Sequence, residues 1–128
     1  MPLGQSVGEF SLESTSVTYN KATHESQLIS INMEGSLTGA DESRVVMGTL
    51  ELSQKLESDD GSYTWFGREF TIEGEARSVS GAGFFRYSGG NHWQLRGYIT
   101  VLGGNSVAME AEIHLATRSL KGTLYEWG

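Results

Sequence analysis

Hydrophobic and polar residues alternate along most of this chain, most clearly between positions 107 and 117. The odd-numbered positions there are apolar as far as Leu115, whereas the even-numbered ones include Glu110, Glu112 and His114. Successive side chains of a strand point to opposite faces, so this alternation predicts a half-buried β-strand. On a helix the same apolar residues would be spread around the axis.

The same period of two recurs elsewhere and predicts further strands. The clearer ones are Gln27–Leu37, Arg44–Leu56, Tyr63–Glu75 and Trp93–Val101, and the weaker ones are Glu9–Tyr19, Gly83–Tyr87 and Leu120–Trp127. In the segment 63–75 the pattern places Phe66, Phe70 and Ile72 on the buried face and Glu69 on the outer face. The first strand changes phase, which predicts a β-bulge near Ser14–Ser16.

Short turns separate the predicted strands, at Thr38–Ser43, Ser58–Ser62, Ser88–His92 and Gly103–Ser106. Parallel pairing needs crossovers of about a dozen residues, so these turns predict antiparallel neighbours. Glycine also recurs within the predicted strands, at Gly48, Gly67, Gly74, Gly97 and Gly122, where it permits the bends by which a sheet closes. We therefore predict that residues 1–128 form one all-β domain with minimal helix, an antiparallel up-and-down β-barrel of about eight strands. A β-sandwich is the alternative.

The net charge and the absence of cysteine exclude several classes of partner and site. The chain has 16 acidic and 9 basic residues, a formal net charge of -7, and no cysteine. Such a surface repels phosphate backbones and anionic lipid, so we expect neither a nucleic acid nor a membrane as partner. The lack of cysteine excludes disulfides and thiolate metal sites. Because the N-terminus also lacks the pattern of a signal peptide, we expect a cytoplasmic location.

The densest group of chemically versatile side chains lies in the predicted hairpin Arg86–Arg96. At the rim of an open barrel, His92 could act as acid or base near neutral pH, while Tyr87 or Arg96 stabilised a developing oxyanion. These three are the candidate catalytic residues. The alternative is an exposed turn histidine beside a core tryptophan.

Aromatic side chains suggest an apolar ligand cavity. Trp65, Phe84 and Trp93, together with Arg86, are the candidate ligand-binding residues. The aromatic residues could equally fill the interior. An eight-stranded barrel is just wide enough either to be plugged by its own side chains or to hold one small ligand.

Two clusters of polar residues are interpreted as solvated outer faces. His114, Glu112 and Glu110 share one side of a strand and could bind a divalent metal, but that side is opposite the apolar one. The three glutamates at positions 69, 73 and 75 likewise share a face that the pattern places outside. We therefore predict no metal site and no cofactor.

The step Gly81–Arg86, followed by Leu95–Gly97 and a final pair of strands, resembles the late part of small allene-oxide-cyclase-like barrels. That group includes dirigent proteins and several bacterial proteins of unassigned function. The resemblance covers roughly a fifth of the chain. It implies a barrel that holds apolar or reactive small molecules, in some members guiding cyclisation without a cofactor. No catalytic residue of the family maps onto this chain.

Three functions follow as expectations. The first is the binding of a small apolar molecule inside the barrel, and the second is a cofactor-independent isomerase or cyclase that uses the same cavity. The third is a structural subunit that self-associates into a homo-oligomer through Val17, Tyr19, Tyr125 or Trp127. The sequence alone identifies neither a ligand nor a reaction.

Overall fold

The computed structural model describes residues 3–20, 26–39, 42–55, 58–102 and 104–127. They form eight strands: β1 (Ser6–Tyr19), β2 (Ser26–Gly39), β3 (Glu42–Lys55), β4 (Asp60–Phe70), β5 (Ala76–Gly89), β6 (His92–Val101), β7 (Ser106–His114) and β8 (Ser119–Tyr125). Each strand pairs antiparallel with the next, and β1 also pairs with β8. The predicted antiparallel up-and-down barrel is therefore confirmed, and the described residues contain no helix.

The phase change in β1 is confirmed as a β-bulge. Ser14 pairs with Met33 of β2 and Ser16 pairs with Asn32, so Thr15 is the extra residue. The extra residue shifts the alternation of side chains in β1 by one position, while the alternation in β2 continues unchanged. Apolar residues on both sides of the bulge therefore belong to the same face of the sheet.

The connections between strands alternate between the two ends of the barrel. β2–β3, β4–β5 and β6–β7 are joined at the end that we name the mouth, and the other four connections lie at the opposite end. The first residues of β1 and the last residues of β8 also lie at the mouth. The Arg86–Arg96 hairpin joins β5 to β6, so it lies at the opposite end.

The predicted orientation of β4 is wrong by one residue. Tyr63, Trp65 and Glu69 are buried, whereas Phe66 is 62% exposed. Because side chains along a strand have a period of two, an error of one residue moves every side chain to the other face. Ile72, which the pattern placed on the buried face, follows the end of β4 and is exposed.

A pair of glycines accounts for this orientation. Gly48 of β3 and Gly67 of β4 face each other, and the Trp65 ring lies 2.8 Å and 3.0 Å from where a Cβ on each would stand. The indole thus occupies space that a side chain at either position would take. Gly74, which the sequence places within a strand, lies instead in the turn after β4 with φ of 88°, a conformation that glycine adopts without strain.

The interior of the barrel is filled at the opposite end and hollow toward the mouth. Leu52, Phe85, Trp93 and Ile113 pack into the core at the opposite end. None of these four side chains lines the cavity described below. The sequence left open whether the aromatic residues fill the barrel or line a cavity. In the structure Phe85 and Trp93 fill the opposite end, and Trp65 lines the cavity.

Candidate functional site

A cavity of about 830 Å³ lies inside the barrel toward its mouth. All eight strands contribute to its mainly apolar wall, through Phe10, Leu12, Leu37, Val46, Leu50, Trp65, Val79, Leu95, Ile99, Val101, Val107, Met109, Leu120 and Leu124. Small-molecule sites typically measure about 300–1,000 Å³ and are lined mainly by apolar side chains. The cavity therefore has the size and the wall of a small-molecule site.

An ion pair lies on the inner wall near the mouth. Arg44 Nη1 donates a hydrogen bond to Glu69 Oε1 over 2.9 Å, and Glu69 is only 2% exposed. Glu69 is paired across the strands with Val46, and Arg44 precedes Val46 by two residues, so the charged side chains meet diagonally on one face. The guanidinium offsets part of the free-energy cost of burying the carboxylate.

Two further polar side chains line the cavity from the connections at the mouth, Glu73 between β4 and β5 and Asn105 between β6 and β7. The expectation that Glu69, Glu73 and Glu75 face solvent is thus wrong for Glu69, whereas Glu73 is exposed and also lines the cavity from the mouth. Glu75 is exposed, and its carboxylate lies 3.6 Å from the guanidinium of Arg77. Charged groups therefore lie at the mouth, above an apolar interior.

Of the four predicted ligand-binding residues, Trp65 lines the cavity. Trp93 points inward at the opposite end, where its ring centroid is 5.0 Å from that of Tyr87. Phe84 and Arg86 are exposed on the outer wall, where they line a second depression of about 560 Å³ together with Arg96. The structure thus separates residues that the sequence grouped at one site.

The three predicted catalytic residues do not line the cavity. His92 and Arg96 project from the outer wall of β6, where Arg96 Nε is 3.9 Å from Glu110 Oε2. Tyr87 faces inward at the opposite end, and its hydroxyl accepts a hydrogen bond of 3.0 Å from the backbone N–H of Asn91. Their catalytic role stays a prediction, without a place on the cavity wall.

Sequence reasoning missed the ion pair of the cavity, Arg44 with Glu69. The signal that could have found them is parity. Glu69 shares its parity with Tyr63 and Trp65, and Arg44 shares its parity with Val46. Treating the charged residues as outward on principle hid this signal, although a buried charge is acceptable when it is paired.

The hydroxyl of Tyr63 is buried and has no hydrogen-bond partner among the described residues. It lies 2.5 Å from where a Cβ on Gly97 would stand, so it occupies space that this glycine leaves open. Burial, aided by the nearby Tyr98, raises the pKa of the Tyr63 phenol above its ordinary value of 10.0. Unfolding therefore favours ionisation of this phenol.

Replacing Tyr63 by phenylalanine should stabilise the barrel by about 1 kcal/mol, because it removes a buried hydroxyl without a partner. The substitution should also weaken alkaline unfolding. Because the pKa is raised in the folded state, the unfolded chain loses this proton first as pH rises past about 10, so the free energy of unfolding of the parent falls above that pH. Urea unfolding at about pH 8 and about pH 11 measures both effects. A variant less stable than the parent at both values would contradict this account.

The residues proposed for self-association are on the surface. Val17, Tyr19 and Trp127 are exposed, and Tyr125 is half-buried. Single apolar residues on a protein surface are common, so exposure by itself does not define an interface. Formation of a homo-oligomer stays a prediction that light scattering can test.

Comparison of the chain with family models, with curated proteins and with solved structures finds no match. The resemblance to allene-oxide-cyclase-like barrels therefore remains an expectation. Among the described residues, no helix is present that is long and apolar enough to span a membrane.

Proposed function

We propose that this protein binds a small, largely apolar molecule inside the barrel. The proposal rests on the cavity of about 830 Å³ with its apolar wall. Moving apolar surface from water into such a wall is favourable by about 25 cal/mol for each Å² removed from water. A barrel that is filled at one end and hollow at the other offers this surface without having to unfold.

The placement of charge favours a ligand with an apolar body and one polar end. Leu50 and Leu95 form deep parts of the cavity wall, whereas Arg44, Glu69 and Glu73 lie toward the mouth. A polar group buried against leucine would lose its hydrogen bonds to water without replacement, which costs free energy. The polar end of the ligand therefore belongs at the mouth, within reach of charged side chains and of solvent.

A cofactor-independent isomerase or cyclase acting in the same cavity is the second candidate, and the Arg44–Glu69 pair favours it. A carboxylate can accept a proton and, once protonated, return it, and a guanidinium can stabilise an oxyanion. These two residues would take the roles first given to His92, Tyr87 and Arg96. Binding is the better-supported function, because the cavity supports it without any assumption about a reaction.

Replacing Val46 by tryptophan should weaken the binding of N-phenyl-1-naphthylamine, an apolar fluorescent probe, by at least about tenfold, or about 1.4 kcal/mol. Val46 lines the cavity, so the indole would take volume that the probe needs. Val45 is the matched control: it is the same residue type on the same strand, but it faces outward and is 51% exposed. Val45→Trp should bind the probe as the parent does. Fluorescence titration of the three proteins measures the affinities.

Circular dichroism and thermal unfolding show first that both tryptophan variants are folded. Equal affinity in Val46→Trp and Val45→Trp would contradict binding in the cavity. The proposal also fails if the parent protein binds no member of a series of apolar probes that extends from naphthalene to N-phenyl-1-naphthylamine. Neither result depends on knowing the natural ligand.

A further inference from the structure

A cluster of three potential metal ligands lies on the outer wall, away from the cavity. β6 begins at His92 and β7 ends at His114, and these two residues are paired directly across the strands. Glu112 precedes His114 by two residues, so it projects from the same face of β7. Strand pairing thus brings together two histidines from separate segments of the sequence and one glutamate.

The three side chains converge closely. The ring centroids of His92 and His114 are 3.6 Å apart. Glu112 Oε1 is 3.3 Å from His92 Nδ1 and 3.9 Å from His114 Nε2. The potential ligand atoms all lie within 4.8 Å of one another. One carboxylate oxygen therefore lies within reach of a nitrogen on each ring.

We propose that His92, Glu112 and His114 form a binding site for a divalent transition-metal ion, of which zinc fits best. Two imidazole nitrogens and one carboxylate oxygen are a donor set that zinc accepts, whereas calcium and magnesium prefer oxygen ligands alone. Zinc–ligand bonds of about 2.0–2.1 Å in tetrahedral geometry separate the ligand atoms by about 3.4 Å. The observed separations of 3.3 and 3.9 Å are close to this value, so small side-chain rotations complete the site.

The site is accessible from solvent. The three side chains are between 33% and 43% exposed, so an ion can reach them and water can occupy a remaining coordination position. His114 Nδ1 is buried and has no hydrogen-bond partner among the described residues. The other nitrogen of this imidazole, Nε2, lies 3.9 Å from Glu112 Oε1.

The neighbouring charged residues define the limits of the cluster. Glu110, which the sequence groups with Glu112 and His114, lies instead beside Arg96. Lys121 of β8 is paired across the strands with Glu112, so it is the cation nearest in register to the carboxylate. The ligand set is accordingly two histidines and one glutamate, rather than the one histidine and two glutamates weighed from the sequence.

A calorimetric titration of the untagged protein with zinc tests this site. We expect one zinc ion bound per chain. The affinity for zinc should fall by at least about tenfold in Glu112→Gln and in His114→Ala, because even the loss of a residue that only supports a metal ligand typically costs about that much. Glu110→Gln, on the same face of β7, is the matched control and should bind zinc as the parent does. His24→Ala controls for binding by the third histidine of the chain.

Cobalt and thermal unfolding supply independent measurements. Cobalt(II) in a tetrahedral site has intense visible absorption bands, which should appear with the parent and be lost in His114→Ala. Because zinc binds the folded chain, it should raise Tm in the parent and in Glu110→Gln, with little effect in Glu112→Gln. The proposal is overturned if zinc affinity is unchanged in Glu112→Gln and His114→Ala, or if it is lost in His24→Ala. Absence of zinc binding by the parent would overturn it equally.

Discussion

Replacing Arg44 by methionine should destabilise the barrel by about 3 kcal/mol. The substitution leaves the carboxylate of Glu69, which is 2% exposed, without the guanidinium that donates to it over 2.9 Å. An uncompensated buried charge typically costs about 3–5 kcal/mol. The lower end of that range applies because the Arg44 side chain is 24% exposed, so water already screens part of the interaction. Urea unfolding at neutral pH measures the difference.

A double substitution shows whether the loss comes from the charge. Arg44→Met combined with Glu69→Leu removes both charges, and such apolar replacement of a buried pair is often neutral, so most of the stability should return. The matched control is Arg77→Met, since Arg77 lies 3.6 Å from Glu75 in an ion pair on the surface. Exposed pairs contribute about 0–1 kcal/mol. If Arg44→Met lowered the free energy of unfolding no more than Arg77→Met does, the guanidinium of Arg44 would not be compensating a buried charge on Glu69.

Replacing Gly97 by alanine should cost about 3 kcal/mol, at the upper end of the usual range for overpacking. Gly97 of β6 faces Gly83 of β5, and a Cβ on Gly97 would collide with the backbone carbonyl oxygen of Ala82. A backbone atom cannot move aside as the tip of a side chain can, so the two strands would have to separate. The hydroxyl of Tyr63, 2.5 Å from the same position, would also be displaced.

Gly104 supplies the control for this substitution, because a Cβ there would be 3.4 Å from its nearest neighbour, the carbonyl oxygen of Val101. Gly104→Ala should therefore change the free energy of unfolding by no more than about 0.5 kcal/mol. Adding Tyr63→Phe to Gly97→Ala should recover a small part of the loss, since the collision with the backbone remains. A Gly97→Ala protein as stable as Gly104→Ala would show that the strands can open without cost.

The orientation of a strand could be predicted where the large apolar residues occupy one parity only. In β7 the large apolar residues Val107, Met109 and Ile113 share one parity, and the structure places these three side chains inside, as predicted. β4 carries large apolar residues on both parities, so its pattern allowed two orientations. The choice between them depended on the glycines at positions 48 and 67, one of which belongs to another strand.

The candidate sites were less predictable than the fold. Arg44 and Glu69 belong to different strands, and their contact follows from the register between β3 and β4. His92 and His114 likewise become neighbours only through the pairing of β6 with β7. Alternation along one strand carries no information about which residue of the next strand lies opposite. The sequence therefore grouped His114 with Glu110 and Glu112, and the pairing of β6 with β7 brings His92 to it.

The sequence by itself determined the all-β class, the antiparallel order of the strands and the bulge in β1, and it favoured a closed barrel over a β-sandwich. Local chemistry decides these features, since side chains alternate along each strand and glycine-rich turns join neighbours. Only the tertiary structure decided that Glu69 is buried, that the barrel is hollow at the mouth, and that two histidines meet on its outer wall. The physical reason is that alternation divides each strand into two faces, but closure and register determine which face is inside and which side chains meet across strands.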